Sequence, residues 1–253
     1  MKIDCVLTAV NENELYIDFI PIFVETWNKL YPDIDVKIIL IATNIPNKFN
    51  KYAKNIILFK PIKNILTSFI SQVIRILYPC ILNYENGIMI TDIDILPMNR
   101  TYYTDNIKSY DNTKFIYFRE NVCFEHQQIA MCYNVACPNI WKDIFKINTE
   151  DDIINMLIDI NNNHIILPGH GNEGWCIDQI KLYENVFNWN KMTNNFICLN
   201  EKKTKFNRLD RNTFSLNDTK IINNIKNGVY CDYHCYRPMS KYSDVNYKIM
   251  NLL

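Results

Sequence analysis

The run Gly87-Ile-Met-Ile-Thr-Asp-Ile-Asp-Ile-Leu-Pro-Met98 carries the densest chemical signal in the chain. Ile88 to Thr91 read as a short buried strand. Asp92 and Asp94 follow at once, with Ile93 between them. In an extended chain residues i and i+2 point to the same side. Both carboxylates are therefore expected to leave the C-terminal end of a buried strand toward one spot. Adjacent negative charges repel, and burying them costs free energy unless a cation neutralises them. A hard divalent ion with oxygen ligands, Mn2+ or Mg2+, is the simplest such cation. The carboxyl end of a strand is also where open α/β sheets bind ligands. The competing reading is a polar strand end that caps the next turn.

Toward the N-terminus the pattern alternates between strands and helices. Ile3 to Val10 reads as a strand buried on both faces. Glu14 to Leu30 fits a helix, with Pro21 kinking it or marking a late start. Val36 to Ala42 is a second buried strand, followed by a turn at Thr43-Asn44-Ile45-Pro46 and a helical turn at Phe49 to Ala53. Ile56 to Phe59 is a third strand. Lys63 to Tyr78 reads as a helix with an Ile65, Phe69, Val73, Leu77 stripe, and Arg75 lies off that stripe. Such alternation implies a mixed, mainly parallel central sheet flanked by helices, an α/β fold.

Beyond Met98 the pattern loosens. Phe115 to Phe118 and Ala130 to Ala136 read as strands. Asn139 to Phe145 and Glu150 to Ile160 read as helices, the second with Thr149 as N-cap. The chain has only 5 glycines, and Gly169, Gly171 and Gly174 fall within six residues of one another, in Pro168-Gly-His-Gly-Asn-Glu-Gly-Trp175. Clustering of a scarce residue points to a backbone that bends sharply or approaches a ligand closely. A helix over Cys176 to Val186 follows, then short strands around Phe196 to Leu199 and Gly228 to Tyr236. Lys202 to Arg211 reads as a basic, solvated surface stretch.

Composition narrows the field. With 27 basic and 27 acidic residues the net charge is zero, which gives no basis for a nucleic-acid or anionic-membrane partner. The 9 cysteines are scattered without a disulfide framework and are expected to be reduced thiols. Met1-Lys-Ile-Asp-Cys enters a strand directly, without a signal-peptide apolar region, and no apolar run is long enough to cross a bilayer. A cytoplasmic location is expected. The whole of 1–253 is expected to form one domain, with 1–100 as the nucleotide-binding half and 101–253 as the acceptor-binding half.

An apolar strand, then Asp-x-Asp, then Leu-Pro resembles the metal-binding motif of GT-A glycosyltransferases, which use nucleotide-sugar donors. The resemblance covers the chain well through Met98 and beyond it only by order of elements. It implies a GT-A fold and transfer of a sugar, on family grounds from a UDP-sugar, to a hydroxyl of a glycan or other acceptor. It implies Asp92 and Asp94 as metal ligands, with Ile93 between them at the donor. By the same resemblance, Thr8, Ala9 and Val10 at the end of the first strand and Thr43 and Asn44 at the end of the second hold base and ribose. Arg75 takes the place of a nucleotide-contacting basic residue. Within Tyr233-His234-Cys235-Tyr236-Arg237-Pro238, His234 is the third metal ligand and Arg237 a phosphate contact. Histidine suits Mn2+ better than Mg2+, and a guanidinium fork suits phosphate. Trp175-Cys-Ile-Asp178-Gln179 resembles the element that places a carboxylate at the acceptor or the reacting sugar carbon. Asp178 is the first candidate for that carboxylate and Glu173 the second. Ile180 departs from the Asp-Gln-Asp pattern of many retaining enzymes, and the anomeric outcome stays open.

Two rivals come from other classes. Asp92 as nucleophile and Asp94 as general acid would suit a haloacid-dehalogenase-like phosphatase. That motif normally lies near the N-terminus, whereas an extended α/β region precedes Asp92 here. A nucleotide-sugar-binding protein without turnover would keep the same residues. Cys231, His234 and Cys235 suggest zinc only if a second pair at standard spacing existed, and none is present.

Overall fold

A computed structural model describes residues 1–253, the side chain of Val122 excepted. The strands are β1 (Ile3–Asn11), β2 (Asp35–Ile41), β3 (Ile56–Phe59), β4 (Gly87–Ile90), β5 (Ile95–Pro97), β6 (Phe115–Tyr117), β7 (Asn134–Ala136), β8 (Phe196–Cys198), β9 (Arg208–Asp210) and β10 (Asp232–His234). The α-helices are α1 (Ile20–Leu30), α2 (Thr67–Leu77), α3 (Tyr102–Asp105), α4 (Glu120–His126), α5 (Pro138–Phe145), α6 (Glu150–Asn163), α7 (Ile177–Thr193), α8 (Glu201–Thr204), α9 (Thr219–Lys226) and α10 (Met239–Met250).

Among the described residues, seven strands form one sheet in the order β3-β2-β1-β4-β7-β6-β8. All neighbours pair parallel except β7, which runs antiparallel to both β4 and β6. The expected mixed, mainly parallel α/β sheet is therefore present, and both halves of the chain contribute strands to it. Side chains alternate across it as the pleat requires. Val6 and Val10 of β1 pack toward α1, whereas Cys5, Leu7 and Ala9 pack toward α2. Each face thus carries its own core, and β1 is buried on both sides as its unbroken apolar run predicts.

A smaller sheet, β5-β10-β9, lies beside the main one. Its β10 pairs antiparallel with β5 and parallel with β9, setting His234 opposite Ile95 and Asp210. The chain must therefore change sheets directly after β4. Ile95 N–H donates to Asp92 C=O at 3.2 Å, closing a tight turn over the Asp-x-Asp residues. The extended geometry expected for Asp92–Asp94 is replaced by this turn.

Other boundaries shift for local reasons. A 3-10 turn at Ile17–Phe19 precedes α1, which starts at Ile20 with Pro21 in its first turn, where a missing N–H costs nothing. The Lys63–Tyr78 helix shortens to Thr67–Leu77, because Asn64 has φ +64° and Leu66 is extended. The Ala130–Ala136 strand shortens to three residues. Thr149 caps α6 in a full capping box with Asp152.

Candidate active site

The site forms at the carboxyl end of β4, where Ile90 pairs with Leu7 in the middle of β1 and Thr91 N–H bonds Leu7 C=O. The turn after β4 sends its two carboxylates in different directions. Asp92 faces α2, where Arg75 Nη1 makes a short contact with its Oδ1. Asp94 faces the small sheet and is almost fully buried.

Arg75 is the hub of the first half. Its side chain is buried, and its second nitrogen, Nη2, donates to Asp178 Oδ2 at 3.1 Å. One guanidinium therefore spans the motif carboxylate and the carboxylate at the start of α7. A fork with two donor nitrogens can do this, while an ammonium offers only a single point of charge. Asp178 Oδ1 accepts from the Gln179 backbone N–H at 2.9 Å. Burial raises the Asp178 pKa to about 6, Asp92 adds to the rise, and Arg75 works against it.

Asp94 is the hub of the second half. Its Oδ2 lies 3.2 Å from Arg237 Nη1, 3.3 Å from Arg211 Nη1 and 3.5 Å from His234 Nε2. Burial by itself would raise its pKa, but His234, Arg237 and Arg211 together outweigh that and hold the carboxyl below the ordinary range. His234 is oriented from behind, its Nδ1 3.1 Å from Asp210 Oδ1. That hydrogen bond leaves Nε2 directed at Asp94, the arrangement that steers a histidine toward a metal. Cys235 N–H also donates to Asp94 C=O at 2.9 Å, tying the backbone of the motif to β10. Arg237 further donates to Tyr16 Oη and lies over its ring, 4.9 Å from the centroid.

Six of the residues expected from the sequence lie in these two clusters. Arg75, Asp92 and Asp178 form one of them, and Asp94, His234 and Arg237 lie in the other. Ile93 is buried in the core on the α1 side. Thr43 and Asn44 are exposed at the end of β2, hydrogen-bonded to each other at 3.1 Å. Thr8, Ala9 and Val10 are buried within β1. The end of this strand instead presents Asn11, which donates to Thr67 Oγ1 at 3.1 Å, and the loop leading to Tyr16. Glu173 is exposed on the glycine loop, and among the described residues no side-chain hydrogen bond or ion pair joins it to either cluster.

Three participants were missed. Arg211 and Asp210 lie in the stretch read as solvated, yet Asp210, at the end of β9, reaches His234 and Arg211, just after it, reaches Asp94. Leu209 is buried on one side of that strand while Arg208 and Asp210 emerge on the other. Arg208 makes a fork to buried Asp232, with Nη2 2.7 Å from Oδ2. The period-2 alternation of Arg208-Leu209-Asp210 was the available signal. Tyr16 carried no signal beyond its aromatic ring.

Among the described residues, no group of three or more His, Cys, Asp and Glu side chains is gathered as a formed metal site. The turn explains why, since Asp92 reaches Arg75 while Asp94 meets His234. The donor types, carboxylate oxygens of Asp92 and Asp94 and the imidazole of His234, are those a divalent ion takes, but they stand in two clusters held by different partners. Cys231 Sγ donates to Asn207 C=O, and among the described residues no group of three such donors gathers the two thiols with His234.

A mainly parallel seven-stranded sheet, ending in a carboxylate turn that a small second sheet covers, defines the GT-A glycosyltransferase fold. The comparisons with solved structures agree. The chain superposes on the galactosyltransferase LgtC in complex with donor and acceptor sugar analogues with a TM-score of 0.51 and 11% identity, over 98% of this chain and 96% of that one. On the glycosyltransferase GlyE of Streptococcus pneumoniae TIGR4 the TM-score is 0.52 at 13% identity, over 99% of this chain and 60% of the other. No protein-family model and no curated protein matches the sequence. This fold leaves no place for the haloacid-dehalogenase reading, whose argument rested on the motif alone.

Proposed function

We propose that the protein transfers a sugar from a nucleotide-sugar donor, by preference a UDP-sugar, to a hydroxyl acceptor with the help of Mn2+ or Mg2+. The observation that carries this reading is the pair of charge clusters that flank the turn at the carboxyl end of β4. In one, Arg75 holds Asp92 and Asp178; in the other, Asp94 meets Arg211, Arg237 and His234.

Asp92, Asp94 and His234 would hold the ion, which supplies charge neutralisation at the diphosphate leaving group. Arg237 and Arg211 stand beside Asp94, where their fork geometry suits phosphate oxygens. Arg75 holds Asp178 in place and counters its charge. A carboxyl group with a pKa near 6 is ionised at neutral pH and remains a competent proton acceptor. Each of its oxygens has one hydrogen bond and a remaining lone pair, so Asp178 can align or deprotonate a hydroxyl that reaches it. The acceptor is a glycan or another hydroxyl compound. Among the described residues no helix is long and apolar enough to cross a membrane.

The test is a thermal-shift panel of UDP, GDP, CMP and ADP, each with and without Mn2+. A ligand at a hundred times its Kd adds about 2.7 kcal/mol to stability. We expect one diphosphate, UDP first, to raise Tm only with Mn2+, and Asp94→Asn to abolish the shift. If no nucleotide moves Tm in either metal state, the transferase reading fails. Binding without donor hydrolysis or transfer supports the non-catalytic alternative.

A further inference from the structure

The loop between α6 and α7 bears a surface that neither cluster above uses. Its three glycines all have positive φ, at +107° for Gly169, +77° for Gly171 and +82° for Gly174. Despite them the loop is closed on itself. Leu167 N–H donates to Glu173 C=O at 3.0 Å, Trp175 N–H to Asn172 C=O at 3.0 Å, and the Asn172 side chain to Pro168 C=O at 2.6 Å. The turns thus hold a fixed shape, and that shape displays rings. His170, exposed, lies 4.6 Å from the half-buried Trp175 ring at 45°. Ile165 and Leu167, 61% and 50% exposed, stand on the approach to the same loop.

This surface is tied directly to the site. Gln72 on α2 reaches the Trp175 carbonyl at 3.5 Å, and Arg75 on the same helix holds Asp178 at 3.1 Å. Residues three apart on a helix share a face and are about 4.5 Å apart along its axis. The Trp175 backbone and the Asp178 carboxylate are therefore anchored on neighbouring rungs of α2.

We propose that Trp175 and His170 form a stacking platform for a pyranose ring of the acceptor, so that the acceptor is a carbohydrate whose reactive hydroxyl is delivered toward Asp178. This inference rests on the transferase reading above and names its acceptor class. One face of a pyranose is a patch of C–H bonds, whose slight positive charge complements the negative face of an aromatic ring. The polar rim fits the same occupant, since Asn172 and Glu173 are exposed beside the rings and can bond sugar hydroxyls. An apolar platform with a few polar groups is the usual make-up of a small-molecule subsite. The acidic Glu173 disfavours the other candidate, an anionic lipid surface meeting Ile165 and Leu167.

The protein carries its own reporter. Trp27, Trp141 and Trp189 are buried, which leaves Trp175 as the tryptophan open to a quencher. Acrylamide quenching of intrinsic fluorescence is measured with lactose, maltose, cellobiose and N-acetyllactosamine, each to its solubility limit. Sorbitol serves as an open-chain polyol without a ring face, and phosphatidylglycerol vesicles serve as the lipid control. We expect at least one disaccharide to protect Trp175 saturably while sorbitol and vesicles do not. In calorimetric titrations with that disaccharide, Trp175→Ala weakens binding about tenfold and Trp175→Phe largely restores it. His170→Ala weakens binding by a smaller factor. An unchanged far-UV spectrum in each variant excludes unfolding as the cause.

Protection by no disaccharide, equal protection by sorbitol, or protection by vesicles instead overturns the platform. A nucleotide-dependent Tm shift without sugar protection sinks this inference and leaves the transferase reading standing. Sugar protection without any nucleotide shift sinks the transferase reading and the acceptor role with it, and leaves only a carbohydrate-binding surface.

Discussion

Asp178 and Arg75 set the energetics of the site at the scale of single residues. The Asp178 pKa rises from 3.8 in the unfolded chain to about 6 in the folded one, first through burial. The folded state thus holds this proton more tightly. Its favourable contribution is complete below about pH 4, is lost between there and about pH 6, and is absent at neutral pH. The difference corresponds to about 3 kcal/mol. In metal-free protein Asp178→Asn should therefore gain on wild type as pH rises. The Tm gap, read by calorimetry in EDTA at pH 4 and pH 7.5, should widen in the variant's favour. Transfer activity should move the other way, falling in the wild type as pH drops through about 6 and being lost in the variant at all pH values. Arg75→Met removes the cation shared by two carboxylates. Leaving a buried charge uncompensated costs about 3–5 kcal/mol, and urea unfolding reads it directly. Arg75→Lys should recover less than half of the loss, because one ammonium cannot reproduce both contacts.

The elements show which features local pattern reveals. β3, an edge strand with Leu58 exposed, has the bounds its apolar run predicted, and β1, β2 and β4 lie within one residue of theirs, because a strand buried on both faces must be apolar throughout. Thr149 was legible for a similar reason, since a capping box is a purely local contract between four residues. Thr149→Ala should cost about 1 kcal/mol by chemical denaturation. What could not be read was the change of sheets after Asp92. Nothing in Ile93-Asp94-Ile95 announces that β5 will pair with a strand well over a hundred residues later, and that pairing bends the motif. The partners of Arg208, Asp210 and Arg211 escaped for the same reason, because only the pairing of β9 with β10 brings them to Asp232, His234 and Asp94. The glycine cluster was read correctly as a demand on the backbone, and its members are not equivalent. A Cβ at Gly174 would lie 2.8 Å from Ile165 C=O, whereas one at Gly171 meets nothing within 4 Å. Gly171→Ala should cost only the left-handed backbone penalty, about 1–2 kcal/mol. Gly174→Ala should cost more, by the same denaturation assay.

At the scale of the whole molecule, two cores share one sheet and the site spans their common edge. The carboxylates are balanced by arginines from α2, from the turn after β9 and from the segment after β10. Adding Mn2+ should therefore change stability through Asp92, Asp94 and His234. In a Tm titration the Mn2+ effect should vanish in His234→Ala and be reversed by EDTA in the wild type. The same wiring has a meaning in time. Asp94 C=O is held by Cys235 N–H and Asp92 is joined through Arg75 to Asp178, so the site is stitched by contacts between remote parts of the chain. Closures of that length come late in folding, after local helices such as α6 have formed. A half-folded chain holds scattered charges and no place for a nucleotide. In a refolding experiment, recovery of ligand binding should lag recovery of helical signal, so that competence to bind certifies a finished molecule.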